Sequence, residues 1–321
     1  MRVIITGAGG FIGRTLADRL RADGAEVVGV DRVADPGSGI VAGDISAPGP
    51  WQRTAEGCDA LVHTAALVGM PTDVSAFWSV NVRGTRLAIE AARDHGVARV
   101  VHVSSVVTFG LDFPDGVDET FPVRPTGVAY TDTKIAAEQV ALMAHAAGEQ
   151  EVVVVRPGDV YGPASKPWVL LPIELMRSRK LVVPAGGRGI HSPVYVDDLV
   201  DGLTRSLTAP AAAGRVITLS GGQGVPVGEY MNHLARMIGV RVPTVPTALA
   251  LAGAAALDRL ARVRRVPNEL TPDGVRYLAH RHGTYGIGTA KALLNWSPKV
   301  GLDDGMARTE HWLRDQQLIG S

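Results

Sequence analysis

Short apolar runs alternate along the first half of the chain with stretches in which apolar residues recur every three or four positions. Val3-Ile4-Ile5, Glu26 to Val30, Ile40-Val41, Ala60 to His63, Val97 to Val103 and Val152 to Val155 read as buried strands. Ala76 to His95 and the stretch through Tyr130, Lys134 and Gln139 carry helical spacing. Strand and helix in this order, with glycine at the turns, predict right-handed crossovers and a doubly wound parallel α/β sheet. Leu111 to Thr126 is polar and broken by prolines, which predicts a loop.

Beyond Arg156-Pro157 the rhythm changes. Pro163 to Pro172 and Leu181 to Arg188 are loop-rich, and Val194 to Asp198 opens a helix with Asp197 or Asp198 as its N-cap. Val216 to Ser220 is a further strand, and the remainder is helical up to a Trp296-Ser297-Pro298 turn and a last amphipathic helix. The expected organisation is one sheet domain, residues 1–160 and about 189–225, with a smaller discontinuous domain from about 161–188 and 226–321. A substrate belongs in the cleft between the smaller domain and the carboxyl ends of the strands.

Composition narrows the partners. The 321 residues hold 32 Lys+Arg against 32 Asp+Glu, so no net field draws the chain to nucleic acid. The single cysteine, Cys58, reads as a buried small residue and fits a reducing, cytoplasmic setting. Arg2 precedes only a brief apolar run before glycines, unlike a signal peptide. The longest apolar stretch, Thr247 to Leu257, falls well short of the roughly 20 residues a membrane span needs.

The chemistry concentrates at strand ends. Thr6-Gly7-Ala8-Gly9-Gly10-Phe11-Ile12-Gly13 directly follows the first strand. Glycines there let a pyrophosphate approach the backbone, and the helix beginning near Gly10 aims free N–H groups and its positive end at it. Asp31 closes the second strand, where a carboxylate can accept from an adenosine ribose. It favours NAD over NADP, although the adjacent Arg32 is able to take a 2′-phosphate. Further on, Tyr130 and Lys134 stand four apart and share a helix face. A free tyrosine has a pKa of about 10. A lysine alongside is expected to stabilise its phenolate and make it an acid/base, with Ser105 donating to the substrate oxygen.

The glycine loop, His63-Thr64-Ala65-Ala66, Asn81-Val82-x-Gly84-Thr85, Val103-Ser104-Ser105 and Tyr130/Lys134 follow one another in an order that resembles the extended short-chain dehydrogenase/reductase superfamily. Gly10-Phe11-Ile12-Gly13 is similar to its NAD-dependent epimerase/dehydratase and 3β-hydroxysteroid dehydrogenase-like branch, and the resemblance covers most of the chain. It implies a Rossmann sheet, with NAD held by Gly7, Gly10, Phe11, Ile12, Asp31 and Arg32. Asp44 and Ile45 are the implied adenine contacts, and Ala65, Ala66, Ser104, Tyr130, Lys134 and Pro157 complete the cofactor set. The resemblance makes Tyr130 the acid/base, Lys134 the ribose clamp, Ser105 the substrate-oxygen donor and Asn81 the support for the lysine and its waters. It also implies a homodimer packed through the helices near 76–95 and 130–147.

Two positions depart from the nucleotide-sugar enzymes of that branch. Asp159 stands where they usually carry Asn, and would repel a diphosphate. His191 stands where they usually carry Arg, although Arg188 is near enough in sequence to substitute. The leading expectation is therefore hydride exchange between NAD and a secondary alcohol or ketone on an apolar, steroid- or terpenoid-like small molecule. The alternative is a sugar-nucleotide epimerase or dehydratase. A non-catalytic dinucleotide sensor would not need Ser105, Tyr130 and Lys134 together. Thr247 to Arg265, apolar and then basic at Arg259, Arg262, Arg264 and Arg265, reads as a packed helix with solvated arginines, or one lying near a membrane. His280 and His282 point to different helix faces, so no metal pair is expected. No Gly-x-Ser-x-Gly elbow occurs; Ser220 to Gly224 reads as a strand-end turn, and His63 as packing beside the cofactor.

Overall fold

The computed structural model describes residues 1–69, 73–264, 266 and 268–320. Arg265 and the Arg262 side chain lie outside the described residues. Six strands, β1 (Arg2–Thr6), β2 (Glu26–Asp31), β3 (Ile40–Ala42), β4 (Ala60–His63), β5 (Arg99–Val103) and β6 (Glu151–Pro157), precede the break in rhythm. After it come β7 (Asp159–Tyr161), β8 (Ile190–His191), β9 (Pro193–Tyr195), β10 (Val216–Leu219) and β11 (Val225–Pro226). A seven-stranded sheet runs β10-β6-β5-β4-β1-β2-β3 with every pair parallel. Two ribbons, β7 with β9 and β8 with β11, stand outside it. This is the doubly wound Rossmann-like order, which reverses direction between β1 and β4.

The strands are apolar on both faces because both are covered. Val3 and Ile5 join one core with Leu16, Leu20 and Leu203, while Ile4 between them joins the other with Leu87, Ala88 and Ala141. That alternation is the period of two in an extended chain. Leu111 to Thr126 is irregular, as its prolines predict, and is tethered by Phe113 stacking on Tyr285 at 5.0 Å.

Two local expectations change. The helix Val196–Ser206 is capped at Tyr195 with no side-chain cap, and Asp197 and Asp198 sit inside its first turn. The buried Asp198 carboxylate instead accepts from the Lys299 and Val300 amides at 3.0 and 2.9 Å, pinning the turn after Trp296 to this helix. The second difference is at Ala76 to His95, where Trp78–Arg83 is π-wound between Val74–Phe77 and Gly84–Asp94. The wider turn carries Asn81 inward, where it is 2 % exposed. Among the described residues, no helix is long and apolar enough to cross a membrane.

Candidate active site

The loop after β1 turns at Gly7, whose φ is +74°. A Cβ there would lie 2.7 Å from the Ala65 amide nitrogen, so glycine brings this loop against the end of β4. The helix Phe11–Ala22 then starts at Gly10 with no side-chain cap and no acid in its first turn. Its first N–H groups are thus left for an anion. Asp31, at the end of β2, accepts from Gly9 N at 2.9 Å and Arg32 N at 2.7 Å, which holds its carboxylate beside the loop. Each of its oxygens keeps a lone pair for a ribose hydroxyl. Asp44 is held by the Ser46 amide and hydroxyl, and with Arg32 borders a cavity of about 550 Å³. Ile45 is buried, its side chain packed where Gly84 leaves room. Phe11 and Ile12 are half-buried, as are Ala65 and Ala66 beyond β4.

Asn81 ties two pieces of the site together. Its Oδ1 accepts from Leu67 N at 2.7 Å, and its Nδ2 donates to Leu67 O and to Thr133 Oγ1 at 3.1 and 3.0 Å. It therefore fixes the strand end carrying Ala65 and Ala66 against the helix Ala129–Ala146, and its side chain holds Thr133 and not Lys134. The latter is buried and donates to Val103 O at 2.8 Å.

Tyr130 is half-buried one turn before Lys134. Burial raises its phenol to about 12; the Ser105 hydroxyl alongside pulls it down and the charge of Asp159 adds to the rise. The expected stabilisation by the lysine is absent, because the Lys134 ammonium is turned to the Val103 carbonyl. Burial lowers that ammonium to about 8, opposed by Glu138. The phenol is thus protonated at neutral pH. Ser105 is 9 % exposed and caps the short turn after β5 through Val107 N.

Behind these residues lies a network that the sequence did not announce. Glu138, one turn past Lys134, is 1 % exposed and pairs with Arg156 at 2.5 and 3.0 Å. Ser104 Oγ donates to the same carboxylate at 2.9 Å, so its hydroxyl faces away from the strand end. Arg156 also lies over the Phe109 ring at 4.6 Å. Pro157 is buried at the end of β6. His63 bridges Thr6 and Thr85 at 2.7 and 3.1 Å, and burial lowers it to about 3, so it is a neutral packing residue.

A second buried cluster forms beyond β6. Asp159 accepts from Tyr277 Oη at 2.6 Å and Ser192 N at 3.0 Å, and pairs with Arg281 at 2.9 Å and His191 at 3.1 Å. Burial would raise this carboxyl, but Arg281 and His191 hold it well below the usual carboxylate range. Asp159 is consequently not the bare charge that the sequence suggested: it is 3 % exposed and its negative charge is matched by Arg281. His191 is 1 % exposed, between the Trp168 and Tyr230 rings at 4.4 Å from each, and Arg188 is exposed. Sequence reasoning passed over Tyr277, Arg281, Trp168 and Tyr230. Glu138 alone left a signal, as the third member of the Tyr130, Lys134 face. Among the described residues no three His, Cys, Asp or Glu side chains converge on a metal-sized site.

Comparison with known proteins gives the family. The model of the NAD dependent epimerase/dehydratase family matches residues 3–220, and the chain belongs to that family. It is 30 % identical to 2-alkyl-3-oxoalkanoate reductase of Stenotrophomonas maltophilia (strain K279a), over 96 % of this chain and 98 % of that one. It is also 30 % identical to UDP-glucose 4-epimerase of Mycolicibacterium smegmatis, over 98 % and 99 %. Among solved structures, MoeE5 in complex with UDP-glucose and NAD superposes with a TM-score of 0.80 at 26 % identity, covering 99 % of this chain and 100 % of that one. The family's NAD fits the residues present. The positive-φ glycine, the uncapped helix start and the free lone pairs of Asp31 supply what a dinucleotide requires.

Proposed function

We propose that this member of the family is an NAD-dependent oxidoreductase whose substrate is a ketone or secondary alcohol on an apolar molecule, worked mainly in the direction of reduction. One observation carries the substrate class: the Asp159 carboxylate, close enough to raise the Tyr130 phenol, is buried and matched by Arg281. A nucleoside diphosphate brings at least two charges and needs unpaired cations, and Arg281 is buried and already engaged by Asp159. The similarity to a reductase of alkyl-substituted oxoalkanoates supports the same reading.

Bound at the glycine loop, the nicotinamide cofactor supplies or accepts the hydride. Gly7, Gly10, Phe11, Ile12, Asp31 and Arg32 would hold its adenosine half, with Asp44 and Ile45 at the adenine and Ala65 and Ala66 at the nicotinamide-side strand end, and Ser104 and Pro157 would complete the cofactor set. Ser105 donates a hydrogen bond to the substrate carbonyl oxygen, and Tyr130 gives that oxygen its proton as negative charge develops. A phenol raised to about 12 rests as the proton donor, which suits reduction. Lys134 would steady the resulting phenolate with its ammonium turned from Val103 to a bound ribose, and Asn81 keeps the end of β4 in register with the helix that carries Tyr130 and Lys134. Residues 161–188 and 226–321 form the substrate-binding part and 1–160 with 189–225 the cofactor part. Two copies pair through the helices that include Gly84–Asp94 and Ala129–Ala146, where Met143 is 69 % exposed.

The test is a panel of 3-oxoalkanoates, steroid and terpenoid ketones, and UDP- and dTDP-sugars, read by nicotinamide absorbance and product analysis. Turnover of an apolar ketone with NADH is the expected result. Turnover of a nucleotide sugar, with no apolar compound reduced, would establish the epimerase or dehydratase reading that the UDP-glucose 4-epimerase similarity favours.

A further inference from the structure

The helix Thr247–Arg264 is built inside out. Its buried side chains are small: Ala250, Ala254 and Ala261 are 6, 5 and 8 % exposed. Leu251 is half-buried, but its other large aliphatic side chains face outward, with Leu249 at 62 %, Leu257 at 46 %, Leu260 at 45 % and Val263 at 77 %. A surface helix of a water-soluble domain does the reverse, turning its apolar stripe to the core. Advancing about 100° per residue, Leu249 and Leu260 fall at the centre of the outer face. Leu257 and Arg264 lie on one flank and Val263 and Arg259 on the other, with both arginines exposed. Just past the helix, Val266 is 51 % exposed.

The same surface leads toward the site. A cavity of about 460 Å³ separates this helix from the start of the Asn81 helix, and is lined by Val74, Trp78, Val128, Ala129, Asp258 and Arg276. Val74 and Trp78 are 53 and 45 % exposed, and Ala129 directly precedes Tyr130. The acids nearby do not oppose a negatively charged surface from the outer face. Asp132, Asp258 and Asp273 line the cavity, where Asp132 accepts from Thr126 N and Asp273 is paired with Arg276.

We propose that this helix is an interfacial anchor that docks the protein on an anionic lipid bilayer, lying in the headgroup plane. The aliphatic stripe enters the acyl boundary, and Arg259 and Arg264 reach up to phosphates on either flank. Charge chooses the occupant: an apolar stripe edged by arginines matches acidic headgroups, whereas the same face of a second copy of this chain carries no carboxylate to meet those arginines. The docking rests on the composition of the helix and is read without substrate, so it stands or falls separately from the proposed reaction.

The experiment is co-sedimentation of the NAD-loaded protein with phosphatidylcholine vesicles, with and without phosphatidylglycerol. The expected result is pelleting with phosphatidylglycerol that weakens as salt rises. Leu249→Ser/Leu260→Ser and Arg259→Glu/Arg264→Glu double variants should each partition at least tenfold less while keeping NAD affinity. If a variant loses NAD binding, quenching by brominated phosphatidylglycerol, compared between wild type and Trp78→Phe, replaces it; a larger quench in wild type supports docking. Wild-type protein left in the supernatant, or equal binding to neutral vesicles, overturns the proposal. So does light scattering in which Leu249→Ser/Leu260→Ser turns a dimer into a monomer, because the stripe then belongs to a second copy.

Discussion

Glu138 and Asp159 are both carboxylates buried next to the Tyr130–Lys134 pair, and both are matched by an arginine, but they are built differently. Glu138 comes from the same helix as Tyr130 and Lys134, and meets Arg156 at the neighbouring strand end. Its charge supports the Lys134 ammonium against burial. Asp159 draws its partners from β8, the turn after it and the helix Pro272–His280 with the residue that follows. Its charge works against ionisation of the Tyr130 phenol. One carboxylate thus supports Lys134 beside the proposed cofactor site, while the other acts on the Tyr130 phenol from a separate buried cluster. A buried carboxylate matched by an arginine is the same device in both places, and position decides what it does.

The largest expected effect removes the group that both regions address. Tyr130→Phe should cost about 10² to 10⁴ in turnover on whichever substrate the panel identifies, because it deletes the proton donor. NAD affinity, measured by calorimetry, should stay within a few-fold of wild type. A variant retaining most of its activity would sink the acid/base role and leave the two carboxylates with no shared target.

Stability comes next, and here the two should look alike. Glu138→Gln and Asp159→Asn each leave a buried guanidinium without its counter-charge, which costs about 3–5 kcal/mol. Urea denaturation should show losses of similar size. Function should then separate them. Without Glu138, the Lys134 ammonium loses the charge that opposes its burial and falls below about 8. Glu138→Gln should therefore weaken NAD binding and move the pH dependence of turnover at its lysine limb to lower pH. Asp159→Asn should leave NAD affinity unchanged. Equal loss of NAD affinity in both variants would erase the distinction.

What the sequence disclosed follows the same division. The sheet, the glycine loop, Asp31, Ser105 and the Tyr130/Lys134 face were legible because each depends on short spacing: a period of two, a strand–turn–helix, or four residues on one helix. Asn81 was legible as a position, but its bonding was not, since the π-wound turn that aims it at Leu67 and Thr133 has no composition mark. The Asp159 cluster was opaque for a physical reason. Residues 159, 191, 277 and 281 meet only after two ribbons and a distant helix have packed, so no local pattern reveals that the carboxylate is neutralised. The same limit misplaced the Asp198 cap, whose partners are about a hundred residues away.

The smallest effects sharpen the comparison most, and both are read by pH on Asp159→Asn. Removing the carboxylate, and leaving Arg281 in place, lowers the Tyr130 pKa from about 12. The rising limb of alcohol oxidation should therefore move to lower pH, by roughly one unit or less, since one unit already represents about 1.4 kcal/mol of interaction. Stability should change at the opposite end of the scale. In the folded protein the Asp159 pKa is depressed below its unfolded value of about 4, so the folded state binds fewer protons through that window. Its contribution is complete above about pH 4 and is lost as pH falls toward the folded value. Wild-type unfolding free energy should thus fall with acidification by up to about 1.4 kcal/mol per pH unit from this group, and Asp159→Asn should lack that slope. Alkaline-limb and acid-slope changes together would show one carboxylate acting on both the phenol and the fold. If the acid slope disappears while the oxidation limb stays put, Arg281 screens Asp159 from Tyr130, and the substrate wall is only a structural ion pair.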